Sequence, residues 1–200
     1  MRRTARRTVV VASSFVVLLI PALGTSACTS RTSDFTSDFP SHRTWVSDVA
    51  EVTRATGTHL ADRLPDSSGK TAIVLDIDNT ALESAYATVA GTVPATAPVL
   101  AIAKQAKRDG AAVFFVSARD ESFRVSTQAN LESVGYPVDG LFLRPSDTTD
   151  SLQTYKTRQR IRIEQSGYTI VANIGNNTTD LAGGHAEHTT KLPDYDGLLP

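Results

Sequence analysis

The stretch Ile73-Val74-Leu75-Asp76-Ile77-Asp78-Asn79-Thr80 restricts the fold more than any other part of the chain. Ile73, Val74 and Leu75 form a short apolar run without polar alternation, which predicts a strand covered on both faces. Side chains repeat every second residue along an extended chain, so Asp76 and Asp78 are expected to point the same way at the strand's end. Two carboxylates on one face repel, and a bound cation is the simplest relief. The plain alternative is a strand end followed by a turn that Asn79-Thr80 initiates.

The downstream pattern supplies a sheet around this strand. Helices are expected over Val99–Arg108, Asp120–Val134 (with Phe123, Val125, Leu131 and Val134 apolar) and Ser151–Gly167. Buried strands are expected over Ala111–Val116, Leu141–Leu143 and Thr169–Ile174. Strands alternating with helices at this spacing imply right-handed crossovers, a mainly parallel sheet and helices on both faces, an α/β three-layer sandwich. An amphipathic helix capped by Ser41 is expected over 41–64, its stripe formed by Trp45, Val49, Val52, Thr56, Leu60 and Leu64. Ser68-Gly69-Lys70-Thr71 contains the GKT of a P-loop, but Leu64 stands where the first glycine belongs and a strand follows, so it is a turn. The connection from Ala81 to Pro98 is too short for a second domain and predicts a small or minimal cap; Tyr86 within it is more simply a packed tyrosine than a stacking platform.

Ahead of this domain, residues 1–27 have the form of an export signal. Arg2, Arg3, Arg6 and Arg7 precede the apolar run Val9–Ile20, and Pro21, Gly24 and Ser26-Ala27 lead to a cleavage site. The run falls short of the roughly 20 residues of a spanning helix. Arg6-Arg7-Thr8-Val9-Val10 also resembles a twin-arginine signal. Cys28 sits where a bacterial lipoprotein carries its acylated cysteine, although Thr25 replaces the usual Leu; membrane attachment through a lipidated Cys28 and free secretion both remain open. Residues 28–40, rich in Ser, Thr and Asp, read as a tether that Phe35 and Phe39 could anchor, leaving 41–200 as a single domain. Cys28 is the only cysteine, which excludes an intrachain disulfide and a cysteine-ligated zinc. His185 and His188 lie in a Gly-rich loop without a third ligand nearby and read as solvated. The chain carries 20 basic and 21 acidic residues; loss of the four signal arginines leaves no basic excess and argues against nucleic acid as a partner.

In a parallel sheet, ligands bind beyond the carboxyl ends of the strands. Those ends carry Asp76 and Asp78, Ser117-Ala118-Arg119, and Asn173, Asn176 and Asp180, with Lys156 on the preceding helix. The ordered segments VLDIDNTAL (74–82), VFFVSAR (113–119), NLESVGY (130–136), LFLRP (141–145), YKTRQR (155–160), GYTIVANIG (167–175) and TDLAGG (179–184) resemble the haloacid-dehalogenase-like (HAD) superfamily. Within it they resemble acid phosphatases of class B type and their plant vegetative-storage relatives.

The resemblance implies an exported phosphomonoesterase working through an aspartyl-phosphate. Asp76 would be the nucleophile and Asp78 the general acid and base, with its carbonyl facing the metal. Ser117 and the Ala118 amide would bind the phosphoryl oxygens, and Lys156 would hold nucleophile and phosphate. Mg²⁺ would be held by Asp76, Asp78, Asn176 and Asp180. The family's last motif, Gly-Asp-x-x-x-Asp, reads Gly175-Asn176-Asn177-Thr178-Thr179-Asp180 here, which removes one negative charge and predicts weaker metal binding. Two other outcomes stay open: a non-catalytic binding or storage protein, and an exported phosphotransferase that passes the phosphoryl group to an alcohol.

Overall fold

The computed structural model describes residues 39–87 and 91–199. The expected signal, Cys28, Phe35 and most of the tether lie outside the described residues. Five strands, β1 (Lys70–Leu75), β2 (Ala112–Asp120), β3 (Gly140–Arg144), β4 (Tyr168–Gly175) and β5 (Thr189–Lys191), form one sheet in the order β3-β2-β1-β4-β5. Every pairing is parallel. The central position of β1 follows from its residues, since Thr71 to Leu75 are all buried. Ile73 and Leu75 enter one core with Val113 and Phe115, whereas Ala72 and Val74 enter the other with Phe114 and Val116.

Helices α1 (His42–Arg63), α2 (Ala97–Arg108) and α3 (Arg124–Ser133) supply Trp45, Val49, Leu60, Ala103 and Leu131 to the first core. Helix α4 (Leu152–Gln165) covers the other face with Tyr155 and Ile163. The result is the expected three-layer α/β/α sandwich. Ser41 caps α1, its hydroxyl accepting from the Thr44 amide, and Ser151 caps α4 in the same way through Thr154. On α1 the buried stripe includes Thr53, which returns its hydroxyl to the Val49 carbonyl, while Val52 is only half-buried.

The expected helix over Asp120–Val134 requires correction. β2 continues to Asp120, which pairs with Arg144 on β3, and a 3-10 turn at Glu121–Phe123 intervenes before α3. Asp120 caps that turn by accepting from the Ser122 amide, so the chain leaves the sheet later than its apolar run does. Phe123 and Val125, expected to pack, are exposed; Thr127 and Leu131 form the buried side of α3. The expectation also lacked β5 and the short helix α5 (Thr178–Leu181). β5 reads Thr-Thr-Lys and pairs along the end of β4, so it has no apolar signature. Between Thr80 and Ala97 the described residues hold one 3-10 turn (Ser84–Tyr86) and isolated bridges, a minimal cap. Tyr86 stacks on Trp45 at 5.0 Å and donates to the Pro40 carbonyl, with Phe39 against its ring, so it belongs to packing.

Candidate active site

Asp76 leaves β1 while still bound to the sheet: its amide donates to the Ile174 carbonyl of β4 at 3.0 Å. The chain then turns tightly. Asn79 adopts a positive φ of 53°, its side chain accepts from the Ala85 amide, and the Leu82 amide returns to the Ile77 carbonyl. The two carboxylates meet different partners. Asp76 is 7% exposed and accepts from Lys156 Nζ at 2.7 Å. Asp78 is paired in bidentate fashion with Arg119, Nε to Oδ2 at 2.8 Å and Nη2 to Oδ1 at 2.7 Å, and also accepts from the Ser84 hydroxyl. The repulsion expected between Asp76 and Asp78 is thus met by two protein cations.

A different imbalance takes its place. Lys156, one turn into α4, also donates to Asp180, so one buried ammonium lies between two buried carboxylates. Burial pushes the Asp76 carboxyl up to about 6; the Asp180 charge adds to the rise and Lys156 works against it. Burial alone would lower the Lys156 ammonium, but Asp76 and Asp180 outweigh it and raise it to about 12. Burial would raise Asp78 too, yet the Arg119 guanidinium and the Ser84 hydroxyl hold its carboxyl below the usual range.

Asp180 is positioned by three devices. Its Oδ2 accepts from the Asn177 amide, completing a capping box at α5. Its carbonyl accepts from Asn173 Nδ2 at 2.9 Å and from the buried Arg160 at 2.6 Å. Arg160 also ties down the Ala182 and Gly184 carbonyls of the following loop. A Cβ on Gly175 would lie 2.3 Å from the Asp180 Cβ, so only glycine lets the Asp180 side chain stand against β4.

Ser117 and Ala118 lie in the last part of β2, one strand away, just past the point where Leu75 pairs with Phe115. Ser117 is buried and accepts from the Arg119 amide; Ala118 is exposed at the rim. Asn176 is buried, its Oδ1 accepting from the Thr80 hydroxyl at 3.2 Å and its Nδ2 donating to the Leu199 carbonyl at 2.8 Å. The structure therefore unites Asp76, Lys156 and Asp180 in one cluster, places Asp78 beside it, and engages Asn176 in structural hydrogen bonds. Arg119, Ser84, Thr80 and Arg160 had no assigned role in the sequence; only Arg119 carried a signal, two residues past Ser117 at a strand end. His185 contacts Glu164 and His188 stacks on His59, so the two do not converge.

Among the described residues, no three acidic, histidine or cysteine side chains gather around one point suited to a metal. The candidate ligands are all oxygen: the Asp76 and Asp78 carboxylates and Asn176 Oδ1, which already accepts from Thr80. Together with the unbalanced negative charge of Asp76 and Asp180, this set fits a hard divalent cation completed by water or phosphate oxygens.

The comparisons follow this geometry. A family model described as HAD superfamily, subfamily IIIB (acid phosphatase) matches residues 85–198, more than half of the chain, beginning just past Asp76 and Asp78. The chain is 38% identical to the stem 28 kDa glycoprotein of Glycine max over 90 residues, which is 42% of this chain and 35% of that protein. It is 33% identical to acid phosphatase 1 of Solanum lycopersicum over 107 residues, 52% of this chain and 42% of that one. The matches thus span well under half the length of these relatives. The class C acid phosphatase from Bacillus anthracis shares the fold, with a TM-score of 0.58 at 19% identity over 72% of this chain and 67% of that one. The chain belongs to subfamily IIIB, the acid phosphatase subfamily, of the HAD superfamily.

Proposed function

We propose that the chain is an exported, Mg²⁺-dependent phosphomonoesterase that works through Asp76. The observation that carries this reading is the Asp76–Lys156–Asp180 cluster at the end of the central strand, where the carboxylate is buried, oriented and short of positive charge. An Asp76 oxygen attacks phosphorus and the ester P–O bond breaks, leaving an aspartyl-phosphate and an alkoxide. Lys156 holds the attacking carboxylate, while the Ser117 hydroxyl and Ala118 amide face the phosphoryl oxygens. Asp76, the Asp78 carbonyl and Asn176 would hold Mg²⁺, which when bound would supply charge neutralisation of the phosphoryl group.

Asp78 supplies the proton for the alkoxide, then accepts one from the water that attacks phosphorus and regenerates Asp76. Its pairing with Arg119 keeps it ionised, which suits the second step. The first step requires a protonated Asp78, so the Arg119 contact must loosen or the leaving group must depart without a proton. Aryl alcohols, which depart without a proton, are therefore the leaving groups expected to react fastest.

The test is hydrolysis of 4-nitrophenyl phosphate by the purified protein with Mg²⁺ and with chelator, beside Asp76→Asn. Turnover that needs Mg²⁺ and Asp76 supports the reading. Turnover that survives Asp76→Asn refutes it. The non-catalytic binding or storage reading is favoured by one observation: both polar ends of the Asn176 amide are already engaged, by Thr80 and Leu199. Silence of the wild type, with activity gained in Asn176→Asp, would support that reading. Export, and attachment through an acylated Cys28, rest on the N-terminal sequence alone; the mass of the mature protein from a native host tests both.

A further inference from the structure

A cavity of about 220 Å³ opens between the end of β2 and the loop after β3, lined by Ala118, Asp120, Arg144, Pro145, Ser146 and Thr148. Ala118 is the residue whose amide the phosphatase reading places at the phosphoryl group. Arg144 sits across from Asp120 in the sheet register. Neighbouring strands lie about 4.8 Å apart and each residue advances about 3.3 Å, so Arg144 stands within roughly 10 Å of Ala118. A second cavity of about 220 Å³ shares Pro145 and Thr148 as a common wall and is lined by Arg124, Arg158 and Arg162.

The Arg144 cavity carries one acid, Asp120, and one base, Arg144, whereas its neighbour carries Glu121 and Asp150 against Arg124, Arg158 and Arg162. Arg124 is taken up by Glu121 and Arg158 by Asp150. Asp120 turns Oδ1 to the Ser122 amide and hydroxyl. Arg144 and Arg162 have no carboxylate within ion-pairing distance among the described residues. Arg144 donates Nη2 to the Asp150 carbonyl at 2.7 Å, while its Nε is shielded from water and lacks a partner. Arg162 has only the Gln159 amide oxygen. A guanidinium left underused beside a polar cavity gains most from an anionic ligand that can accept from its fork. The Ala118 cavity has no aromatic wall on which a base could stack, and Ser146 and Thr148 add hydroxyl donors.

We propose that the Arg144 cavity is a subsite for a second anionic group on the substrate, so that the preferred substrates are phosphomonoesters whose alcohol part carries another phosphate or a carboxylate. The proposal rests on the phosphatase reading of the Asp76 site, and Arg144 acts in it as a specificity residue.

The test is calorimetric titration of the full protein carrying Asp76→Asn, which prevents turnover, with glycerol 3-phosphate, 3-phosphoglycerate and 2,3-bisphosphoglycerate in excess Mg²⁺. Binding about tenfold tighter or more is expected for the ligands with a second anion. A gain for both indicates an anion subsite; a gain for the bisphosphate alone narrows it to phosphate. Adding Arg144→Gln is expected to bring the affinities within about twofold of one another, and Arg144→Lys to retain part of the difference. Equal affinities in the Arg144 protein, or a preference that survives Arg144→Gln, would overturn the subsite. Turnover of 4-nitrophenyl phosphate by the wild type separates the two readings: an active enzyme without the preference refutes the subsite alone, whereas no turnover and no binding of any of the three esters refutes both.

Discussion

Replacing Asp76 by Asn is expected to stabilise the metal-free protein while abolishing its chemistry. The Asp76 carboxyl, raised by burial from 3.8 to about 6, is held in a form that folding disfavours at neutral pH. A rise of that size corresponds to roughly 3 kcal/mol at most, about 1.4 kcal/mol for each tenfold change in proton affinity. An asparagine must also satisfy its amide in a buried site, so a net gain of about 1–3 kcal/mol is expected at pH 7.5. In a domain of this size that is about 3–10 °C in Tm. The sign follows from linkage. The folded carboxyl binds its proton more readily than the unfolded one, so its contribution to stability is full below pH 3.8 and is lost as pH rises through about 6. The gain from Asp76→Asn should therefore be present in full at pH 7.5 and reduced to about a third of that at pH 4.5. Urea denaturation in chelator at the two pH values measures it. Added Mg²⁺ should then stabilise the wild type more than the variant, because it binds the folded form through Asp76. A variant less stable than wild type at pH 7.5 in chelator would refute the reasoning, since the Lys156 pair would then outweigh the burial of the second carboxylate.

The remaining predictions concern the groups around that charge. Lys156→Met strands Asp76 and Asp180 together without a cation and should cost about 3–5 kcal/mol at pH 7.5, measured by urea denaturation. Gly175→Ala sets a Cβ against the Asp180 side chain and should cost at least about 1–3 kcal/mol, with larger losses in phosphatase activity as Asp180 is displaced from Lys156. Asn176→Asp removes the donor to the Leu199 carbonyl and should destabilise the metal-free protein by about 1–3 kcal/mol while tightening Mg²⁺ binding, both read from melting curves with and without the ion. Arg119→Met frees Asp78 to take a proton, so the ratio of aryl to alkyl phosphate hydrolysis should fall; an unchanged ratio would remove Arg119 from control of that step.

The parts of this molecule that were legible in sequence are those where one residue type has one use. Ile73 to Leu75 can only be a strand covered on both faces, and its centrality in the sheet follows. Ser41 and Ser151 mark helix starts because a serine before an apolar period offers its hydroxyl to the first turn. Elements whose apolar pattern is weak were not legible. β5 is held by pairing with β4 rather than by apolar residues, and Phe123 and Val125 suggested a buried helix face, whereas Phe123 ends a 3-10 turn and Val125 stands exposed on α3.

The site divides along the same line. Asp76, Lys156 and Asp180 were candidates because they stand together, in order, on the segments that resemble the HAD superfamily, each being an ordinary turn, helix or cap residue if read alone, and the structure brings them together. Arg119 and Ser84 escaped because their role depends on what the end of β2 and the loop after Asp78 bring against its carboxylate, which strand alternation does not specify. A positive φ at one asparagine is invisible to a pattern of period two. The two carboxylates nevertheless stand in different electrostatic settings, one raised by burial and the other held down by a guanidinium. In the proposed mechanism, that division lets a pair of identical side chains, two residues apart, serve as a nucleophile and as a proton carrier.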